Sequence, residues 1–238
     1  MQISQIYFTD SGDALPDYLA SCVSTVRSCY PKFGHAIYNL EMARDFINRH
    51  FGDDVRKAFD KLVPYAYKAD LLRYCLLHEI GGWYFDIASR AFTGVDLSSD
   101  IETLAFRDQI VFTNSSWAVS NTVLYAKPNS IVYQKAIELV IQNCRDQYYG
   151  IGPLCPTGPY LLGRAFADAG PSQNRFFGSL LALTPSYENK NMAFVFPNGM
   201  IAAFAKTIGD LKDLGASGTN SYAELYAKGL IYNPDIKL

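Results

Sequence analysis

A chain of 238 residues is long enough for one substantial domain with its own core and short for two. Apolar residues make up 49% and charged residues 18%, which excludes a disordered or fibrous chain, and a net charge of -2 gives no reason to expect nucleic acid or an anionic membrane surface as partner. Aromatic residues reach 14%, with 17 Tyr; tyrosines fill cores and also line pockets for hydroxyl-rich ligands. The first residues, Met1-Gln2-Ile3-Ser4-Gln5, lack a basic segment, so no secretory leader is expected. No apolar run approaches the ~18 residues needed to span a bilayer. The five cysteines (Cys22, Cys29, Cys75, Cys144, Cys155) are irregularly spaced and form no CxxC pair, which argues against a disulfide framework or a zinc site and for a reducing, cytoplasmic setting.

In chain order, Gln5 to Phe8 reads as a first strand, followed by the turn-rich Thr9 to Asp13. A helix is predicted from about Pro16, with Leu19, Val23 and Val26 on one face. Ala36 to Asn39 is a short strand and Glu41 to His50 a helix. This alternation of strand and helix predicts a parallel α/β sheet at the N-terminus. Residues 66 to 80 carry Ala69, Leu72, Cys75, Leu76 and Ile80 at helical spacing, and Gly81-Gly82 ends that helix. Trp83 to Ile87 is a strand with Trp83, Phe85 and Ile87 on one face and Tyr84 and Asp86 on the other. Further strands are expected over Ile110 to Thr113, Thr122 to Ala126, Leu180 to Thr184 and Ala193 to Phe196. Helices are expected over Ser130 to Cys144 and Tyr160 to Ala169, with a Gly/Pro-rich loop from Tyr149 to Pro159 and a weakly patterned tail. No linker divides the chain, so residues 1–238 are expected to form a single domain.

Common catalytic signatures are missing. Gly150-Ile151-Gly152 runs into Pro153 rather than a helix start, and there is no GxxxxGK[ST], GxSxG or HExxH. The three histidines, His35, His50 and His78, are scattered and read as structural. The informative stretch runs from Lys68-Ala69-Asp70-Leu71-Leu72-Arg73-Tyr74 to Gly81-Gly82-Trp83-Tyr84-Phe85-Asp86. Asp70 and Arg73 are three apart and share a helix face, which alone explains an ion pair of a few tenths of a kcal/mol. Asp86 ends an apolar strand just before a loop, where ligands collect in open α/β sheets, and a carboxylate there needs a cation or several donors.

That stretch resembles the core of the family 32 glycosyltransferases, relatives of yeast initiating mannosyltransferases, bacterial capsule and glycan enzymes and clostridial glucosylating toxins. Gln5-Ile6-Tyr7, Cys22 to Pro31, Asn121-Thr122-Val123 to Pro128 and Thr157-Gly158-Pro159-Tyr160 are similar to further segments of that family, so the resemblance covers residues 3–170 best. Residues 171–238 are matched loosely and are expected to close over the donor site.

The resemblance implies a GT-A fold with a mixed, mostly parallel sheet flanked by helices. It implies transfer of a sugar from a UDP- or GDP-sugar to a hydroxyl acceptor such as a glycan, with retention of anomeric configuration. By the family pattern Asp70 and Arg73 would hold the donor sugar, and Arg73 would also be placed to meet the diphosphate bidentately. Asp86 would be the first acid of the DXD motif, contacting ribose and a divalent cation, Mn²⁺ or Mg²⁺. Tyr7, Tyr84 and Asn121 are further donor-binding expectations, and Asn220 is a candidate metal or phosphate contact, set against an ordinary helix cap formed by Asn220 or Ser221. The pattern is broken at Ala88, where the second acid belongs. Three readings follow: an inactivating substitution, a natural site with the metal held weakly or replaced by a cation such as Arg90, and a chain that binds a sugar nucleotide or glycan without catalysis.

Overall fold

The computed structural model describes residues 1–12, 14–108, 115–183, 192–205 and 210–238. Its first half follows the predicted alternation. Strand β1 (Gln2–Ile6) is followed by helix α1 (Asp17–Cys29), with Pro16 at the N-cap, Asp17 in the first turn and Leu19, Cys22, Val23 and Val26 buried along one face. Strand β2 (Gly34–Tyr38) leads to α2 (Leu40–His50), which the Asn39 side chain caps by accepting from the Met42 N–H at 2.8 Å. The first strand lies earlier than expected: pairing begins at Gln2, and Tyr7 and Phe8 follow its end. A helix not predicted, α3 (Asp53–Lys61), places Asp53 and Asp54 at its positive end and buries Val55, Ala58 and Phe59.

Helix α4 (Tyr65–Glu79) is the central element. Residues Tyr67 through Leu77 are buried except Ala69, so it is covered on nearly all sides and shows little amphipathic pattern. The buried Lys68 ammonium donates to the Phe59 carbonyl at the end of α3, and burial pushes its pKa down to about 8. Gly81 (φ 64°) and Gly82 (φ 90°) then reverse the chain into β3 (Gly82–Phe85). A Cβ on Gly82 would overlap the Gln2 carbonyl, so glycine lets β3 lie against β1.

The remaining strands are β4 (Arg90–Ala91), β5 (Thr103–Arg107), β6 (Val119–Ala126), β7 (Arg175–Ala182), β8 (Met192–Val195) and β9 (Ile201–Phe204). Helices α5 (Ile131–Asp146), α6 (Pro159–Asp168) and the short α7 (Tyr222–Ala227) complete the described elements. The nine strands form one sheet in the order β2-β1-β3-β6-β5-β7-β8-β9-β4. The sheet is mixed, as expected, but it is not mostly parallel. Among the described residues β1–β2, β1–β3 and β5–β7 pair in parallel, whereas β3–β6, β5–β6, β7–β8, β8–β9 and β4–β9 are antiparallel. The strand expected over Ile110 to Thr113 lies outside the described residues, as does Thr184 at the end of the expected Leu180 strand. The weakly patterned tail contains β9, a 3₁₀ turn (Leu211–Leu214) and α7.

Strand β3 divides the core. Trp83 and Phe85 enter an aromatic cluster with Tyr30, Phe106, Phe194 and Phe196, while Tyr84 faces α4 in the larger core. The alternation read from sequence is therefore realised, and it places Tyr84 under the helix that carries Asp70 and Arg73. Among the described residues no helix is long and apolar enough to cross a membrane.

Candidate functional site

The site is built where α4 crosses the C-terminal end of β3. Asp70 and Arg73 lie one helical turn apart, and Arg73 Nη2 is 3.2 Å from Asp70 Oδ1 with side-chain exposures of 7% and 10%. This is a buried pair, not the exposed ion pair that spacing alone suggested. Arg73 Nη1 donates to Asp86 Oδ1 at 2.9 Å and to the Asn121 carbonyl at 2.5 Å, and Nε donates to the Ala69 carbonyl at 3.2 Å. The guanidinium carbon lies 4.5 Å from the centre of the Tyr84 ring. Burial works against the Arg73 charge, while Tyr84, Asp86 and Asp70 favour it, and the balance holds its pKa above the ordinary value.

Asp70 is satisfied within the protein. Its Oδ1 accepts from Asn121 Nδ2 at 2.7 Å and its Oδ2 from Thr157 Oγ1 at 2.6 Å. Burial raises the Asp70 pKa, opposed by Arg73, Thr157 and Asn121. Burial also pushes the Tyr84 phenol well up, so its hydroxyl is a donor, 2.7 Å from Asp86 Oδ1. Asp86 is one residue past β3, tied by its own N–H to the Thr122 carbonyl at 2.8 Å. Its side chain is 38% exposed; Oδ1 takes both side-chain bonds, and Oδ2 takes none among the described residues.

These groups line a cavity of about 410 Å³. Asp70, Arg73, Tyr84, Asp86, Ala88, Asn121 and Asn220 all reach its wall, so seven of the positions read from the sequence converge. Tyr7 does not: its neighbours Ile6 and Phe8 line the cavity, while Tyr7 packs with Leu19, Val23, Ile87 and Ala88 behind it. The strand period sends alternate side chains to opposite faces, which explains the miss. Arg73 also departs from the expectation of a bidentate diphosphate contact, because Asp86, Asn121, Asp70 and Ala69 take four of its five N–H donors and leave no pair for a ligand. Arg90 is exposed on β4 and is not part of the cavity wall.

The sequence reading did not assign Thr157, Tyr67 or Tyr74. Tyr67 and Tyr74 donate to the carbonyls of Pro153 and Thr157 at 2.5 and 2.7 Å, anchoring the Gly/Pro-rich loop on α4. Pro153, Leu154, Gly158 and Pro159 of that loop form one side of the cavity. The only sequence signal was the Thr157-Gly158-Pro159-Tyr160 segment; a separation of 87 residues hid the bond from Thr157 to Asp70.

The candidate metal positions are Asp86, Ala88 and Asn220. Asp86 offers Oδ2. Ala88 is 3% exposed and packs with Leu19, Val23, Leu214 and Ala216. Asn220 has both amide atoms in use: Oδ1 accepts from the Tyr65 N–H at 2.8 Å and Nδ2 donates to the Val63 carbonyl at 3.3 Å. Asn220 therefore caps the start of α4 from across the fold, and Ser221 is the N-cap of α7. No group of three His, Cys, Asp or Glu side chains converges among the described residues. Among the described residues, Asp86, Ala88 and Asn220 together supply one carboxylate oxygen, Asp86 Oδ2, and do not by themselves fit a divalent-cation site.

His35, at the edge of the sheet, is joined to the site through Gln5. Arg27 Nε donates to His35 Nδ1 at 3.3 Å, His35 Nε2 lies 2.8 Å from Gln5 Oε1, and Gln5 Nε2 donates to the Asp86 carbonyl at 3.3 Å. With Arg27 donating to Nδ1, the neutral ring carries its proton on Nε2. Burial, and then Arg27, push the His35 pKa from 6.5 down to about 4. The unfolded chain then binds more protons between these values, so stability falls as pH drops from 6.5 through 4. The expected loss is about 1–2 kcal/mol once this half-buried site is discounted for solvent screening. Urea midpoints at pH 7 and pH 4 should show a larger acid loss for the wild type than for His35→Gln.

Comparison with known proteins follows the same residues. Residues 16–89 match a family model described as a glycosyltransferase sugar-binding region containing the DXD motif. The uncharacterized glycosyltransferase L373 of Acanthamoeba polyphaga mimivirus is 30% identical over 103 residues, or 42% of this chain and 39% of that protein. The chain thus spans well under half the length of this relative. Among solved structures, the PaToxG glycosyltransferase superposes with a TM-score of 0.58 at 17% identity, covering 71% of this chain and 69% of that one. At that identity the likeness shows the fold, a GT-A-like arrangement of a curled mixed sheet flanked by helices.

Proposed function

From the match of residues 16–89 to the DXD-type glycosyltransferase sugar-binding region, we propose that the cavity binds a nucleotide-sugar and passes its sugar, with retention, to a hydroxyl acceptor such as a glycan. The observation that carries this reading is the buried Arg73 held between Asp70 and Asp86, beside a cavity of about 410 Å³. Stability alone does not account for it, since the buried Arg73 and Asp70 are costly to desolvate and an apolar replacement is often as stable.

Each residue takes a role that its geometry supports. Arg73 fixes Asp86 so that Oδ2 accepts a hydroxyl of the ribose or the sugar. Asn121 turns its Nδ2 to Asp70, which aims its carbonyl oxygen away from that carboxylate; this Oδ1 is buried without a partner and accepts a sugar hydroxyl. Tyr84 supports Asp86 from below, and Thr157 holds Asp70 in place. The Gly/Pro-rich loop and residues of the C-terminal part, including Asp210, Thr219 and Tyr222, wall the cavity and exclude water from the bond being broken. In this reading residues 1–238 work as one unit in a cytoplasmic setting. Of the DXD positions, Asp86 alone offers a divalent cation a carboxylate oxygen, Oδ2, with Asp108 and Asp210 elsewhere on the cavity wall, and no step is assigned to the cation.

Release and transfer of sugar from a panel of UDP- and GDP-sugars, with the product anomer read by NMR, tests the reading. One donor should be consumed with retention, and Asp86→Asn should slow its use by at least tenfold. Inertness toward every donor, despite tight binding of one, would favour a second reading, a sugar-nucleotide-binding module, for which the apolar packing of Ala88 speaks.

A further inference from the structure

The turn after β3 carries a buried polar group with no partner. The Ser89 N–H donates to the Asp86 carbonyl at 2.9 Å, closing a four-residue turn over Asp86-Ile87-Ala88-Ser89. Such a turn brings its first and last residues side by side. Its two middle residues, Ile87 and Ala88, pack into the apolar cluster with Tyr7, Leu19 and Val23. Ser89 is 1% exposed, its Oγ has no hydrogen-bond partner among the described residues, and it lines the same cavity as Asp86. A hydroxyl buried in this way costs desolvation energy that an alanine would not incur, so folding alone gives no reason for it. Asp86 beside it only accepts hydrogen bonds, whereas the hydroxyl can also donate. An anionic ligand approaching this end of the cavity needs donors, and Ser89 supplies one where Ala88 supplies none.

Resting on the nucleotide-sugar reading, we infer that Ser89 Oγ contacts the ligand directly by donating to a phosphate oxygen of its diphosphate. The polar pair at this turn is then Asp86 and Ser89, four residues inclusive, in place of two acids two positions apart. The interaction is made only when ligand is present, so its loss leaves the free protein no less stable.

Calorimetric titration of UDP, GDP, uridine and guanosine into the wild type and Ser89→Ala, with the unliganded Tm of each, tests this. Ser89→Ala should weaken the bound nucleoside diphosphate roughly tenfold while leaving its nucleoside unchanged. The unliganded Tm should stay the same or rise by about 2–4 °C. Equal diphosphate affinity in both proteins, an equal loss for nucleoside and diphosphate, or a lower unliganded Tm in the variant would each overturn the inference and leave the nucleotide-sugar reading intact. A wild type that binds neither diphosphate nor any UDP- or GDP-sugar would overturn that reading, and this inference with it.

Discussion

Arg73→Met is expected to eliminate measurable nucleotide-sugar binding and to destabilise the protein by about 3–5 kcal/mol, because it leaves uncompensated buried charge. The guanidinium is 7% exposed and joins Asp70, Asp86 and the Asn121 carbonyl, so its removal strands groups from α4, the end of β3 and β6 together. Methionine keeps much of the side-chain volume, which confines the effect to charge and hydrogen bonding. Arg73→Lys should recover part of the stability but not the geometry, since one ammonium cannot reproduce the planar fork that spans Asp86 and Asp70. Urea unfolding and donor titration on the same samples separate the two effects. A methionine variant as stable as the wild type would show that the assembly contributes far less than its burial implies.

Ala88→Asp should destabilise the protein by about 2–4 kcal/mol and produce no gain in activity with Mn²⁺. Position 88 reaches the cavity wall, yet its methyl group is 3% exposed among Leu19, Val23, Leu214 and Ala216. A carboxylate there has no donor from these neighbours and must either protonate or push them apart. Thermal unfolding with and without Mn²⁺, alongside donor turnover, distinguishes this account from a disabled metal site. A large metal-dependent rise in stability and turnover in the variant would mean that alanine stands in for a lost ligand.

Local pattern placed Asp70, Arg73 and Asp86, whereas Ala88, Asn121 and Asn220 came only from the family resemblance. The i, i+3 spacing of Asp70 and Arg73 and the alternation through Trp83-Tyr84-Phe85-Asp86 fix faces without tertiary information, and the two glycines mark where helix gives way to strand. What escaped the sequence depends on contacts distant in the chain. Thr157 meets Asp70 across 87 residues, and Asn220 meets Tyr65 across 155, separations over which no periodicity carries information. Tyr7 faces away from the cavity because it alternates with Ile6 and Phe8, whose side chains line it. Helix α3 was readable in principle from Val55, Ala58, Phe59 and Leu62 at helical spacing behind two acids, but nine residues give a weak signal. The antiparallel pairing of β7, β8 and β9 was hidden for a different reason: β8 and β9 are short, and pairing direction is not described by composition.

The central claim is that the cavity beside Arg73 and Asp86 is a nucleotide-sugar site. Equilibrium titration of UDP- and GDP-sugars into the wild type and Asp86→Asn tests it most directly, because Asp86 is the least buried member of the assembly and its isosteric replacement should leave the fold intact. At least one donor should bind the wild type with a micromolar-range Kd, about -8 kcal/mol, and bind Asp86→Asn at least tenfold more weakly. A wild type that binds none of them, or equal affinity in the two proteins, would contradict the account.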